Sequence, residues 1–406
     1  MAKVSYQKLE NHSPFFWGLV ALNGAIILAG LGAAYVMEHR GHIISGMNNQ
    51  IVWGLPHVFA VFLIVAASGA LNVASVSSVF NRPEYKPYAR LSGLLAITLL
   101  VGGLSVLVLD LGRPDRLIVA MTTYNFKSIF AWNIYLYIGF LAIVAAYLFA
   151  MMDRRASGTT LPGRAIGWFA FVWRLVLTTG TGSIFGWLVA RQSYDAAIMA
   201  PLFIAASLLY GLAFVVLALA TAGRQLRQDL VADEMLGKIR GLLVIFALAV
   251  LYFTAAQHLK SLYASEYRGA ERFLLLEGAI YTGVFWVGQI LVGSVLPLAI
   301  LAPPIFGRSP AAITVASALF LVGGLAQMFV IIIGGQAYPL NLFPGMDVSS
   351  LFQDGQVAHY SGSLAEVLLG LSGVSIAMLL TGIASRLLPF LPRLASGQGG
   401  GRTAAA

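Results

Sequence analysis

The chain has 406 residues, of which 59% are hydrophobic and 10% charged, with a mean hydropathy of +0.84. Soluble domains carry about 25% charged residues, so this composition excludes an ordinary water-soluble fold. The absence of cysteine excludes disulfides, thiolate-held iron–sulfur clusters and thioether-linked haem, and the net charge of +9 sits in short connections and calls for no nucleic acid.

Backbone groups inside hydrocarbon must be satisfied internally, which leaves helices or a closed barrel. Barrel strands are about half as long as the apolar runs here, and they alternate. The runs predict ten membrane-spanning helices, roughly 15–37, 54–80, 89–111, 128–151, 165–190, 200–222, 238–263, 275–302, 310–335 and 364–386. The first is too long for the core of a cleavable signal peptide, so it reads as a span behind a short N-terminal segment, residues 1–14. Sixteen Lys and Arg fall on the side of the N-terminus and eight on the other, which predicts that both termini are cytoplasmic. The expected fold class is an all-α integral membrane protein of about ten transmembrane helices in one domain, 15–386. A disordered cytoplasmic tail, 387–406, is expected to follow. The long outer loop, 336–363, has no Lys or Arg and carries Asp347, Asp354 and His359. It reads either as a lid or as a docking surface, since loops of this length are usually functional.

Ionisable and polar residues within the spans are the candidates for chemistry, because they are costly in lipid. His57 lies just inside the second span, after Trp53-Gly-Leu-Pro. It is either a helix-end residue bonded to a loop carbonyl or a proton acceptor for a bound head group. Ser68 and Asn72 follow along the same helix, either as packing glue or as a polar wire. The third span ends in Asp110-Leu-Gly-Arg-Pro-Asp-Arg116, where Gly112 and Pro114 make the turn. Asp110 and Arg113 belong either to an ion-paired cap or to a proton-accepting site with a tuned pKa. Tyr124, Ser128 and Trp132 open the fourth span on that face, as belt residues or as the wall of an apolar pocket with a few polar groups. Arg174 lies mid-span in the fifth helix, with Thr178 and Thr181 at i+4 and i+7. This set reads as a proton route or as a structural Arg held by carbonyls. His258, Glu277 and Glu366 lie near span ends, where snorkelling competes with a proton-linked role. Only His57 and His258 are span histidines, which makes haem b an unfavoured cofactor, and no metal site is expected.

Four stretches carry a resemblance: Asn49 to His57, Leu109 to Arg116, Thr181 to Gly186 and Gln336 to Gly345. They resemble the NrfD/polysulfide-reductase-C-like family of quinol-interacting membrane subunits, in particular its ten-span HybB/DsrP branch, and the likeness covers essentially all ten spans. The resemblance implies a membrane subunit of an oxidoreductase complex in the bacterial inner membrane, with no redox centre of its own. It implies binding of menaquinone or ubiquinone near the non-cytoplasmic face, beside a ferredoxin-like iron–sulfur subunit, with further cytochrome-type subunits. The pocket positions that match are His57, Asp110, Tyr124, Ser128 and Trp132. The rival reading is a polytopic transporter or ion channel without a redox role. Such proteins often use broken helices and repeated halves, and neither is evident by eye.

Overall fold

A computed structural model describes residues 5–10, 13–153, 161–304, 306–340 and 355–393, with backbone alone at 161–164. The tail beyond 393 and the loop residues Asp347 and Asp354 lie outside the described residues.

The long helices are α1 (Pro14–Arg40), α2 (Leu55–Ala70), its continuation α3 (Asn72–Ser78), α4 (Ala89–Leu109), α5 (Ile129–Met152) and α6 (Leu161–Gly186). They continue with α7 (Met199–Leu226), α8 (Asp233–Tyr263), α9 (Ile280–Leu301), α10 (Pro310–Ala337) and α11 (Leu364–Leu387). Among the described residues, nine of these spans are long and apolar enough to cross a membrane. The tenth, α6, is 26 residues long, packs between α5 and α7, and carries Arg174 at mid-length. The chain is therefore a multi-pass helical membrane protein of nine to ten spans.

Local sequence sets the helix ends. Ser13, Ser128, Ser309 and Ser363 cap α1, α5, α10 and α11 by accepting a backbone N–H, and Pro14, Pro56 and Pro310 occupy first-turn positions where no N–H is needed. At Ser363 the cap is reciprocal, with the Glu366 carboxylate accepting the Ser363 N–H at 2.8 Å.

The helix formed by α2 and α3 is the central element. Its apolar stretch is 94% buried, against 22% for α1 at the periphery. Helices α4, α7 and α11 pack directly on α2. Small residues permit this. A side-chain carbon on Gly69 would lie 1.6 Å from the Ser207 carbonyl oxygen of α7, so the two backbones touch. Just beyond that crossing the helix breaks at Leu71. Ser92 of α4 fills the break: its hydroxyl donates to the Ala70 carbonyl at 2.6 Å and accepts the Ala74 N–H at 3.0 Å. A side chain inserted into the i→i−4 ladder is a recognised cause of such a kink. The predicted span 54–80 thus exists as one membrane crossing in two helical pieces.

Two spans also contain wide π turns, Val284–Val295 in α9 and Val330–Gly334 in α10. A short antiparallel pairing of Ser5–Gln7 (β1) with Leu391–Arg393 (β2) joins the start of the chain to the region after α11. Both ends of the described chain therefore lie at the same end of the bundle.

Candidate functional site

The opposite end of the bundle holds His57 in the first turn of α2 and Asp110 at the C-cap of α4. Packing of α2 on α4 brings His57 Nδ1 to 3.3 Å from Asp110 Oδ2. The Asp110 side chain is 3% exposed and that of His57 19%. The acid is thus enclosed while the imidazole keeps one side open. Among the described residues, Asp110 Oδ1 is buried with no hydrogen-bond partner. A buried carboxylate oxygen without a donor is costly and marks a place where a ligand or water would be welcome.

An aromatic wall adjoins the pair. The Trp53 ring lies parallel to the His57 ring, 5.7 Å between centroids and 17° between planes. Trp53 also meets Phe130 of α5 at 5.6 Å, Phe185 of α6 edge-on at 5.9 Å, and Tyr194 of the following loop at 6.4 Å. Side chains from α5, α6 and the loop after α6 converge on this one indole.

The loop that carries Trp53 is held by amides. Gln336, which follows the π turn of α10, accepts the Val52 and Trp53 N–H groups at 2.9 and 3.1 Å and donates to the Trp53 carbonyl at 3.0 Å. Gln50 donates to the Ala337 carbonyl at 3.0 Å. The Arg191 guanidinium donates to the Gln50 and Gln336 carbonyls at 2.6 and 2.9 Å, and burial pulls its pKa below the ordinary arginine value. Tyr194 donates to the Ile332 carbonyl at 2.8 Å, and its own burial raises its pKa.

A second support sits under the start of α2. Tyr360 accepts the Leu55 N–H at 2.8 Å and donates to Glu366 at 2.6 Å. Burial, with Glu366 adding to it, raises the Tyr360 pKa, so the hydroxyl stays protonated. Glu366 is fully buried and also accepts the Gly46 N–H at 2.8 Å. With the Ser363 N–H, three donors satisfy that carboxylate, so its role here is to fix the loop 41–54 and the first turn of α2.

The remaining expected site residues sit elsewhere. Arg113 pairs with Asp115 at 3.2 Å, both well exposed, and each holds the other's pKa outside its ordinary value: the acid down, the base up. Ser128 is the N-cap of α5. Trp132 is 45% exposed and donates to the Phe126 carbonyl at 2.9 Å. Tyr124 packs on Phe126 and Tyr135, 4.6 and 5.2 Å between centroids. None of these three makes a hydrogen bond or ring contact with His57 or Asp110 among the described residues. Phe130 meets Trp53 instead, and positions two apart on a helix face opposite ways, so Trp132 turns outward.

Deeper in the bundle, Ser68 of α2 meets Thr178 of α6 at 2.5 Å and donates to the Arg174 carbonyl at 3.1 Å. Thr181 lies 3.3 Å from the Tyr137 hydroxyl and 3.4 Å from Asn133 Oδ1. Asn72 opens α3 at the helix break. Arg174 is 2% exposed, its guanidinium lies 5.1 Å over the Phe171 ring, and among the described residues Nε and Nη1 have no partner. Ser68 and Thr178 thus meet over the Arg174 backbone at the α2–α6 contact and Thr181 lies at the α5–α6 contact, while among the described residues the Arg174 guanidinium forms no ion pair.

His258 forms a similar pair with Glu271 in the second half of the chain, through Nδ1. The two span histidines therefore each face a carboxylate. Among the described residues no three His, Asp or Glu side chains converge as a metal-ligand set.

Comparison with known proteins is decisive for the family. Residues 44–339 match the family described as Polysulphide reductase, NrfD. The chain belongs to the NrfD family. It is 28% identical over 398 residues to the Hdr-like menaquinol oxidoreductase integral membrane subunit of Archaeoglobus fulgidus, over 97% of this protein and 98% of that one. It is 29% identical to a putative dimethyl sulfoxide reductase membrane subunit of Halobacterium salinarum, over 92% of this protein and 90% of that one. A polysulfide reductase chain of Wolinella succinogenes is 24% identical over 71% of this protein and 96% of its own length. The NrfD match spans the His57–Asp110 pair, the Arg174 cluster and Gln336, while Tyr360 and Glu366 lie beyond it.

Proposed function

We propose that this chain is the quinone-binding membrane subunit of a multi-subunit respiratory oxidoreductase in a prokaryotic cytoplasmic membrane. Its site lies at the start of α2, on the non-cytoplasmic side. The observation that carries the reading is the buried, half-satisfied Asp110 carboxylate paired to a partly open His57 beneath the Trp53 ring. A quinone head group has two oxygens that need hydrogen bonds and a flat apolar body, which suits that combination.

A bound quinol would supply two electrons and two protons. With Nδ1–H donated to Asp110, His57 keeps its lone pair on Nε2 and can take a hydroxyl proton. Asp110 stabilises the imidazolium that results and has a free oxygen for a second hydrogen bond. Trp53 and Phe130 exclude water from one side. The electrons leave to a partner, since this chain has no cysteine to hold a cluster. Names of similar proteins refer to menaquinol oxidoreductase, dimethyl sulfoxide reductase and polysulfide reductase, which supports a partner enzyme in general. Our finer reading is a ferredoxin-like iron–sulfur subunit docked beside the loop 41–54. Cytochrome-type subunits would join it, in a complex like DsrMKJOP of sulfur metabolism, where this protein would correspond to DsrP. Protons would continue inward through Ser68, Asn72, Arg174, Thr178 and Thr181.

The test is isolation from native membranes in mild detergent, followed by analysis of metals, haem and quinone. Co-purification of an iron–sulfur protein, a c-type haem protein and quinone is the expected result. A stable polypeptide free of metal and quinone that moves a solute across liposomes would establish the transporter reading instead.

A further inference from the structure

At the end of the bundle away from His57 there is a cavity of about 170 Å³. Its origin is a packing gap. Helices α4 and α11 pack together, and α1 rests on α11 while α7 rests on α2 and α4. This leaves a wedge with α4 as its floor. Leu95 and Leu99 line that floor, Leu19 and Val20 of α1 one wall, and Leu217 and Ala218 of α7 the other. The surface is overwhelmingly aliphatic. Thr221, Gln225 and Ser385 gather where α7 and α11 end, and no carboxylate lines the cavity among the described residues.

Two cations stand at that polar end. Arg224, in the last turn of α7, lies 5.0 Å over the Phe15 ring. Arg386, in the last turn of α11, lies 5.0 Å over Phe16 and 5.2 Å over Trp17. Phe16 lines the cavity, as do Gln225 and Ser385, the chain neighbours of Arg224 and Arg386, so both guanidinium groups belong to residues adjoining its lining. Cation–π contact orders each guanidinium group. An apolar slot at membrane depth, with hydroxyl and amide groups and then two ordered cations at its rim, repeats the layout of one lipid class.

We propose that this wedge binds an anionic glycerophospholipid, with an acyl chain between α1 and α7 and the phosphate between Arg224 and Arg386. Apolar burial holds the acyl chain, and the two arginines select the negative head group, as basic pockets between transmembrane helices do. The site is independent of the quinone site and lies at the other end of the bundle. The bound lipid would complete the packing of α1, whose own helix is mostly exposed.

The experiment uses the detergent-washed complex, titrated with phosphatidylglycerol or phosphatidylcholine and read by native mass spectrometry. Expected is one tightly held phosphatidylglycerol per copy of this protein, with phosphatidylcholine far weaker. The double variant R224Q/R386Q should lose roughly 30-fold in phosphatidylglycerol affinity, the effect of two interfacial charges, with little change for phosphatidylcholine. The variant R224K/R386K keeps the charge and should bind as wild type does. Ala218→Phe fills the slot and should abolish binding of either lipid. If it does not assemble, the two arginine variants still decide. Equal affinity for both lipids, unchanged binding in R224Q/R386Q, or quinone alone in the slot would overturn the proposal.

Discussion

His57 and Asp110 are 53 positions apart, and each was recognisable as an ionisable residue in an apolar run. Their 3.3 Å approach depends on the packing of α2 on α4. If the pair accepts a quinol proton, His57→Ala lowers quinol-linked electron transfer by at least about 10²-fold, the scale of a lost general base. Turnover of the assembled complex with a soluble quinol analogue measures this, and full activity would remove His57 from the mechanism. Arg174 poses a different question. Among the described residues it has no acidic partner, and a buried unpaired cation costs several kcal/mol, which hydration or function must offset. For Arg174→Met, the expected outcome is an unchanged or higher melting temperature with slower proton-coupled turnover. A fall in melting temperature would instead make Arg174 a structural residue. Gln336 and Arg191 drew no individual attention as ionisable candidates, because one is neutral and the other reads as an ordinary loop base. Gln336 did lie in one of the stretches that resemble the family, and that signal could have singled it out.

The α2–α3 break could not be read from its residues, since Leu71-Asn-Val has ordinary helical character and the kink comes from Ser92 on another helix. Ser92→Ala strands the Ala70 carbonyl and Ala74 N–H in a buried place, so a loss of about 1–3 kcal/mol is expected in detergent unfolding. Gly69→Val should be more severe. Its side chain would collide with the Ser207 backbone and force α2 and α7 apart, and loss of assembled protein on gel filtration is the readout. On α5, Ser128 and Trp132 were nominated together, yet their parts are an N-cap and an outward-facing ring. Resemblance places residues along a chain, whereas helical rotation decides which of them reach a common pocket. Phe130, between them, is the side chain that turns toward Trp53.

For the whole molecule, hydropathy alone predicts ten spans, and the described helices follow that order, nine of them long and apolar enough to cross a membrane and α6 standing in the place of the remaining one. The β1–β2 pairing brings both ends of the described chain to one end of the bundle. Because the native protein has no cysteine, single-cysteine variants can test the sidedness directly. Ser5→Cys and Arg393→Cys should react with an impermeant thiol reagent from the same membrane face, and Ser361→Cys from the opposite one. From the positive-inside count we propose the cytoplasmic face for the first pair. Labelling of Ser5→Cys and Arg393→Cys from different faces would contradict the paired ends.

Helical class, span order and the position of most helix ends follow from composition and local chemistry, because lipid enforces internal hydrogen bonding on every apolar run and Ser or Pro marks where a run begins. The same chemistry nominated His57, Asp110 and Arg174, since each is conspicuous against an apolar background. What assembles around them was hidden for a different reason. The Trp53 wall draws on α5, α6 and the loop after it, its loop is clamped from α10, and the first turn of α2 rests on Tyr360 and Glu366. Those contacts join positions up to 320 residues apart, and they exist only once helix packing has set rotation and depth for all of the spans together.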